Sequence, residues 1–282
     1  MSAQVVMITG CSSGIGRALA LEYVRRGFAV AGAVRRVEQA DDLAAHHILP
    51  LIMDVTDDKQ VRAGLDRLFR EYGRIDVLIN NAGYGLIAPA VEIPHEELVR
   101  QFETNVFAPM RLIRETAGRM REQGGGMIVN IGSVSGVVTT PFSGAYCATK
   151  AALHALSDAL RMELAPFGIK VVTVQPGAVQ SQFGAKAKQI VEKILKPDSW
   201  YLPLRHQLMA RANASQEGAM PGEKFAIKLV DRLTSKNPPP VIRLAPKSKL
   251  LPFLKNTFSV SRLDRIFAKK FGLVNLQNRG KN

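Results

Sequence analysis

From Val5 to Val174, short apolar runs alternate with longer stretches that carry one apolar and one polar face. No other feature restricts the fold as much. Val5–Ile8, Ala29–Ala33, Ile48–Met53, Val77–Ile79, Met127–Ile131 and Val171–Val174 are predicted strands, with helix-like segments near 15–26, 57–72, 96–122 and 146–166 between them. Buried strands alternating with amphipathic helices form βαβ units, whose parallel sheet is covered on both faces. The predicted fold class is therefore α/β, a doubly wound parallel sheet. After Pro176-Gly177 the alternation fades: residues 182–222 read as irregular, and Gly222–Leu233 as one further helix. Pro238-Pro239-Pro240 ends that helix, because proline cannot continue it. No internal repeat or low-complexity segment interrupts the chain.

Composition excludes several classes. Hydrophobic residues make up 46% and charged residues 22% of the 282, which rules out wholesale disorder. No run approaches the ~18 apolar residues of a membrane span, and Met1-Ser2-Ala3-Gln4 lacks the basic start of a signal peptide. Cys11 and Cys147 alone make neither a disulfide framework nor a metal cluster, which suits a reducing cytoplasm. The net charge of +14 is unevenly placed: residues 1–181 sum to zero, 182–240 to +5 and 241–282 to +9. The basic C-terminal third needs its own explanation.

The first strand runs into Thr9-Gly10-Cys11-Ser12-Ser13-Gly14-Ile15-Gly16 and then a helix. Glycines here let the backbone turn tightly and approach a pyrophosphate, whose charge meets free N–H groups at the helix start. The spacing is G-x-x-x-G-x-G, not the common G-x-G-x-x-G. In order there follow Asn80-Asn81-Ala82-Gly83, Asn105, Ser133, Tyr146-Cys147-Ala148-Thr149-Lys150 and Pro176-Gly177. This ordered set resembles the short-chain dehydrogenase/reductase family over residues 4–181. The resemblance implies a single Rossmann-like domain binding NAD(H) or NADP(H), with Ser133, Tyr146 and Lys150 as the catalytic set and Asn105 supporting a proton relay through water. It also implies cofactor contacts from Gly10, Ser12, Ser13, Gly14, Ile15, Gly16, Asn81, Ala82, Gly83, Tyr146, Lys150, Pro176, Gly177, Val179 and Ser181. Ser181 stands where the family usually has threonine, and its hydroxyl can still bond the nicotinamide amide.

The residue types suit the chemistry. Tyr146 and Lys150 are four apart and share one helix face. A tyrosine of pKa ~10 is a poor base at neutral pH. Lowering it by ~3 units needs ~4 kcal/mol, about what a cation at ~4 Å supplies at an effective dielectric of ~20. In the reductive direction the same phenol donates its proton to the developing alkoxide. Ser133 can hydrogen-bond the substrate oxygen.

Cofactor choice is read from the second strand. A site for NAD usually places Asp or Glu on the ribose ~20 residues beyond the glycine turn. Phe28–Val37 contains no acid: Val34 takes that position and Arg35-Arg36 follow. Guanidinium groups there suit a 2′-phosphate, so NADP(H) is the expected cofactor. Asp54-Val55 resembles the family's adenine contact.

Other conspicuous residues carry less. His46, His47, His95, His154 and His206 lack metal-ligand spacing, so no metal is expected, and His154 is placed on a helix surface or interface. Asp76 is read as a structural hydrogen-bonding partner. Phe183, Trp200 and Tyr201 are expected in a lid over an apolar pocket.

Beyond Pro246, apolar residues from Leu250 to Val274 interleave with Lys249, Lys255, Arg262, Arg265, Lys269 and Lys270. An amphipathic helix is expected from Ser261, with Pro252 disturbing anything earlier. Two readings stand open: attachment to an anionic membrane surface, or packing on the domain. No nucleic-acid motif accompanies the charge. The tail weakly resembles those of short-chain reductases of lipophilic alcohols and ketones (steroid, retinol and acyldihydroxyacetone-phosphate enzymes). The expectation is a catalytic domain over 1–240 with a lid near 182–222, and a basic extension over 241–282. The expected function is NADPH-dependent reduction of a lipophilic carbonyl in the cytoplasm, by a homo-oligomer that associates peripherally with membrane. A nucleotide sensor or a membrane-attached scaffold on the same fold is the alternative.

Overall fold

The computed structural model describes residues 3–277. Its sheet has seven parallel strands in the order β3-β2-β1-β4-β5-β6-β7. The first half of the chain supplies β1 (Val5–Thr9), α1 (Gly14–Arg25), β2 (Ala29–Val34), α2 (Glu38–Ala45), β3 (Ile48–Ile52), α3 (Asp58–Tyr72) and β4 (Val77–Asn80). Then come α4 (His95–Phe102), α5 (Ala108–Glu122), β5 (Gly126–Ile131), α6 (Gly144–Leu164) and β6 (Ile169–Pro176). Every strand is short and largely apolar, so both sheet faces must be covered. On one face, Leu19 and Tyr23 of α1 pack with Val6, Ile8 and Val30; on the other, Leu65 and Leu68 of α3 and Leu112 of α5 pack on Met7, Ala31 and Leu78. Strand order reverses between β1 and β4, and the carboxyl ends of these neighbours open a crevice for a ligand.

The predicted single helix over 96–122 is interrupted. Between α4 and α5, Glu103–Phe107 forms one wider π turn. Such turns concentrate at functional sites.

The second half differs more from expectation. The segment read as irregular contains α7 (Phe183–Ile194) and α8 (Arg205–Asn213), followed by α9 (Gly222–Leu233), whose Phe225 and Leu229 complete the first core face. Val241–Leu244, assigned above to the extension, is β7: it pairs with β6 from Thr173↔Val241 to Pro176↔Leu244. The sheet therefore runs past the boundary expected at 240.

Pro252 does not disturb the chain before Ser261. It sits in the first turn of α10 (Leu250–Thr257), where amide protons have no intrahelical acceptor and its missing N–H costs no bond. Two helices follow, α11 (Val260–Lys270) and α12 (Val274–Gln277). The end of the expected extension, 278–282, lies outside the described residues. Leu263, Phe267 and Phe271 are buried with Val191, Leu204 and Leu208 of the lid and with Phe142. One face of the tail thus packs on the domain.

Candidate active site

The glycine turn is built for close approach. Gly10 and Gly14 adopt φ of 73° and 58°, a region that disfavours side chains. A Cβ at Gly10 would stand 3.0 Å from the Ala82 Cα, and one at Gly16 would collide with the Asn81 side chain and the Gly10 carbonyl. Thr9, which the sequence reading passed over, holds the β1 and β4 loops together. Its hydroxyl accepts from the Asn81 and Ala82 N–H groups at 2.9 Å each, and the Asn81 amide donates to the Thr9 carbonyl at 2.7 Å. The first turn of α1 holds no acidic side chain, so nothing there competes with an anion for the free N–H groups.

At the carboxyl end of β2, Val34 is buried and Arg35 and Arg36 are exposed. Arg35 lines the central cavity, as Asp54 and Val55 do after β3; Arg36 does not. Lys186 of α7 joins the group, an addition that sequence order concealed. Loss of solvent first, then the charges of Arg35 and Arg36, lower its pKa. The Asp54 carboxylate accepts from the Thr56 N–H and hydroxyl at 2.9 and 2.7 Å. A cradle that a side chain would fill, followed by clustered cations, fits a dinucleotide carrying an extra phosphate.

Tyr146 and Lys150 lie on the buried face of α6, and Ser133 follows β5. The Lys150 ammonium donates to the Ile131 carbonyl at 2.8 Å and stands 6.0 Å from the centre of the Tyr146 ring. Burial pushes the Tyr146 phenol up to about 12, with Ser133 and Arg211 pulling the other way, and pulls Lys150 down to about 8. Burial is the largest influence on the phenol and holds its pKa above the ordinary tyrosine value. At neutral pH the phenol keeps its proton.

The supporting residues are precise in placement. The Ser133 hydroxyl accepts from the Ser135 N–H at 3.1 Å, and the Ser133 N–H donates to His154 Nε2 at 3.4 Å. Of the two places expected for it, surface or interface, His154 takes the interface, half-buried. It packs behind the Ser133 loop, where a Cβ at Gly132 or Gly136 would strike its ring. Burial and then Lys150 pull its pKa down to about 4, so it remains a neutral acceptor. Asn105, fully buried in the π turn, accepts from the Tyr84 N–H at 3.2 Å and donates to the Tyr84 carbonyl at 3.0 Å and the Thr149 hydroxyl at 3.1 Å.

One cavity of about 1680 Å³ joins these parts. Gly10, Ser12–Ile15, Asn81–Gly83, Pro176, Gly177, Val179 and Ser181 line it together with Ser133, Tyr146 and Lys150; Gly16 and Asn105 stand behind the wall. Phe183 projects over Tyr146 with ring centres 5.3 Å apart, and Gly85 makes room for it. The Ser181 hydroxyl accepts from the Phe183 N–H at 3.3 Å. Trp200 does not belong to the lid's inner face: it is 77% exposed and off the cavity. Instead the tail contributes Leu251, Leu254, Phe267 and Phe271, and α8 contributes Arg211. Asp76 accepts from the Val5 N–H at 2.8 Å and pairs with Arg74, the structural role expected. Among the described residues no cluster of His, Cys, Asp and Glu could hold a metal ion.

A glycine turn open to close backbone approach and a phenol in one cavity suit the class of nucleotide-dependent dehydrogenases. Comparison narrows that class: the short chain dehydrogenase family matches residues 4–191, and this oxidoreductase belongs to it. An NADPH-dependent 3-dehydrocapnine reductase of Ornithobacterium rhinotracheale is 31% identical over 272 residues, 93% of this chain and 95% of that one. The NADPH-dependent 1-acyldihydroxyacetone phosphate reductase of Schizosaccharomyces pombe is 36% identical over 224 residues, 78% and 73% of the two chains. A short-chain dehydrogenase structure from Streptomyces avermitilis superposes with a TM-score of 0.78 at 32% identity, covering 100% of this chain and 99% of that one.

Proposed function

We propose that this enzyme uses NADPH to reduce the carbonyl of a lipophilic substrate, with Tyr146 as the proton donor. The observation that carries the reading is the shared cavity. The phenol shares it with the glycine turn, Phe183 packs over the phenol, and Leu251, Leu254, Phe267 and Phe271 add apolar lining beside Gln207, Arg211 and Lys270. The named activities of the two NADPH-dependent relatives support the cofactor and the reaction class. The glycine turn and the start of α1 would hold the pyrophosphate, Arg35 and Lys186 the 2′-phosphate, and Ser181 the nicotinamide amide. Bound NADPH supplies the hydride that reaches the carbonyl carbon, leaving NADP+.

The chain's own part is the proton. Tyr146 gives its phenolic proton to the oxygen as negative charge develops there, and the Ser133 hydroxyl steadies that oxygen by a hydrogen bond. Lys150, a buried cation beside the ring, stabilises the phenolate left behind. His154 fixes the Ser133 backbone, and Asn105 fixes Tyr84 and Thr149 beneath the site. NADPH consumption over aliphatic, steroidal and retinoid carbonyls tests the reading. The expected result is turnover of long apolar ketones or aldehydes; cofactor binding without consumption on any of them favours a nucleotide sensor.

We also infer that the enzyme works in the cytoplasm at an anionic membrane surface. No helix among the described residues is long and apolar enough to cross a membrane. Leu250, Phe253, Val260 and Ile266 are nevertheless exposed beside Lys249, Lys255, Arg262 and Lys270, and Leu250, Ile266 and Lys270 also border the cavity. A lipid substrate could then enter without crossing water. At ~1 kcal/mol per basic residue a handful suffices for reversible attachment, and salt weakens it. Co-sedimentation with phosphatidylserine vesicles at low salt is expected, with release at high salt. A protein that stays in the supernatant at low salt refutes the attachment. The homo-oligomer reading rests on a separate apolar groove formed by Phe107, Met110, Ile113, Leu160 and Leu164, and light scattering tests it.

A further inference from the structure

Most buried or half-buried guanidinium groups in this chain have a carboxylate. Arg17 pairs with Asp42, Arg26 with Glu22 and Asp231, Arg74 with Asp76, and Arg111 with Asp58. Arg211 breaks the pattern. It is half-buried on α8, lines the cavity that holds Tyr146, and has no carboxylate within 4.0 Å among the described residues. Its Nε donates to the Thr140 hydroxyl at 2.9 Å, which anchors the group and sets its direction. The two terminal nitrogens make no hydrogen bond among the described residues and stay open to the cavity.

A cation held partly out of water without a counter-charge favours an anion that enters the cavity, and a guanidinium keeps its proton there. Burial is the largest influence on its pKa and lowers it from the usual guanidinium value. The pair of unused nitrogens forms a planar fork suited to two oxygens of one anion. Leu251, Leu254 and Phe267 of the tail line the same cavity.

We propose that Arg211 pairs with an oxyanion of the substrate, so that the preferred substrate is a lipophilic carbonyl compound carrying a carboxylate or phosphate near its carbonyl. This deepens the reductase reading and rests on it. Recognition of the anion aligns the carbonyl with Tyr146, while the chain lies along the apolar wall.

The test is calorimetric titration of the NADP-loaded protein with octyl phosphate, octanoate and octan-1-ol. At least one anion should bind about tenfold to a hundredfold more tightly than the alcohol, and the better of the two identifies the oxyanion. In Arg211→Met that preference should vanish, and in Arg211→Lys part of it should survive. Tm and far-UV circular dichroism of the Met variant should stay close to wild type, so that a lost preference reports lost recognition; a preference that vanishes only together with the fold overturns the proposal. Equal binding of all three probes by wild type, or a preference that persists in Arg211→Met, overturns the proposal. An intact, Arg211-dependent preference with no turnover of any carbonyl counts against the reductase reading alone.

Discussion

Replacing Arg35 by alanine should separate the two nicotinamide cofactors. Arg35 lines the nucleotide end of the cavity, close enough to Lys186 for its charge to lower the lysine's pKa. A charge-assisted bond to phosphate is worth ~1.5–3 kcal/mol where water is excluded. Arg35 is exposed, so screening reduces this to about 1–2 kcal/mol, or roughly fivefold to thirtyfold in Kd. Removing Lys186 as well should bring the loss to about a hundredfold, because the remaining cation cannot compensate. NADH lacks the 2′-phosphate and should lose little. The cluster also predicts a salt effect: between 0.1 M and 1 M the Debye length falls from ~10 to ~3 Å, so wild-type NADPH affinity should drop while NADH affinity stays nearly level. Fluorescence titration of each variant with both cofactors measures all of this. Equal losses for NADPH and NADH, or salt dependence untouched by the double substitution, would falsify the assignment of these cations to the 2′-phosphate.

Three further outcomes follow from local geometry. Gly16→Ala drives a methyl group into the Asn81 side chain and the Gly10 carbonyl, so it should cost about 2–3 kcal/mol and lower Tm by roughly 5–10 °C, with cofactor binding lost. Scanning calorimetry and titration check this, and an unchanged Tm contradicts the packing. Lys150 titrates near 8 in the folded protein against 10.5 for its ordinary value. Below pH 8 the cost of burying the charge is present in full. Between about 8 and 10.5 the folded chain sheds the proton first, so stability should rise there by about 3 kcal/mol. Denaturant unfolding of Lys150→Met should lack that rise. Phe271→Ala should cost about 3–5 kcal/mol and reduce kcat, since Phe271 packs on Phe142 just ahead of Tyr146. A tail serving only for attachment would leave stability and kcat unchanged.

Much of the first half of the chain is legible because its strands are largely apolar and glycines mark several turns, whereas the short α2, bounded by neither glycine nor proline, gives no such signal. The glycine turn, Ser133, Tyr146 and Lys150 could be named because their spacing is local. What escaped depended on distant partners. Val241–Leu244 follows three prolines and pairs on one side only, so four residues gave no periodic signal. The helices α7 and α8 begin with no strong cap, and their basic surface hid the apolar stripe that meets Phe142. Lys186, Arg211 and His154 look like ordinary helix residues. Only the fold brings Lys186 beside Arg35, Arg211 to the cavity that holds Tyr146, and His154 to the Ser133 loop. Helical spacing likewise reports the lysine beside Tyr146 but not the burial of the phenol, which only the fold shows.

The central claim is that Tyr146 protonates a carbonyl oxygen while hydride reaches the carbon. Single-turnover transfer of deuterium from 4-deuterated NADPH to a long-chain ketone, in wild type and Tyr146→Phe, tests it most directly. Wild type should deliver the label to the carbinol carbon. The Phe variant should bind NADPH with nearly unchanged affinity yet transfer label about 10² to 10⁴ times more slowly. Transfer at the wild-type rate in Tyr146→Phe, or no label reaching any ketone with wild type, would contradict the account.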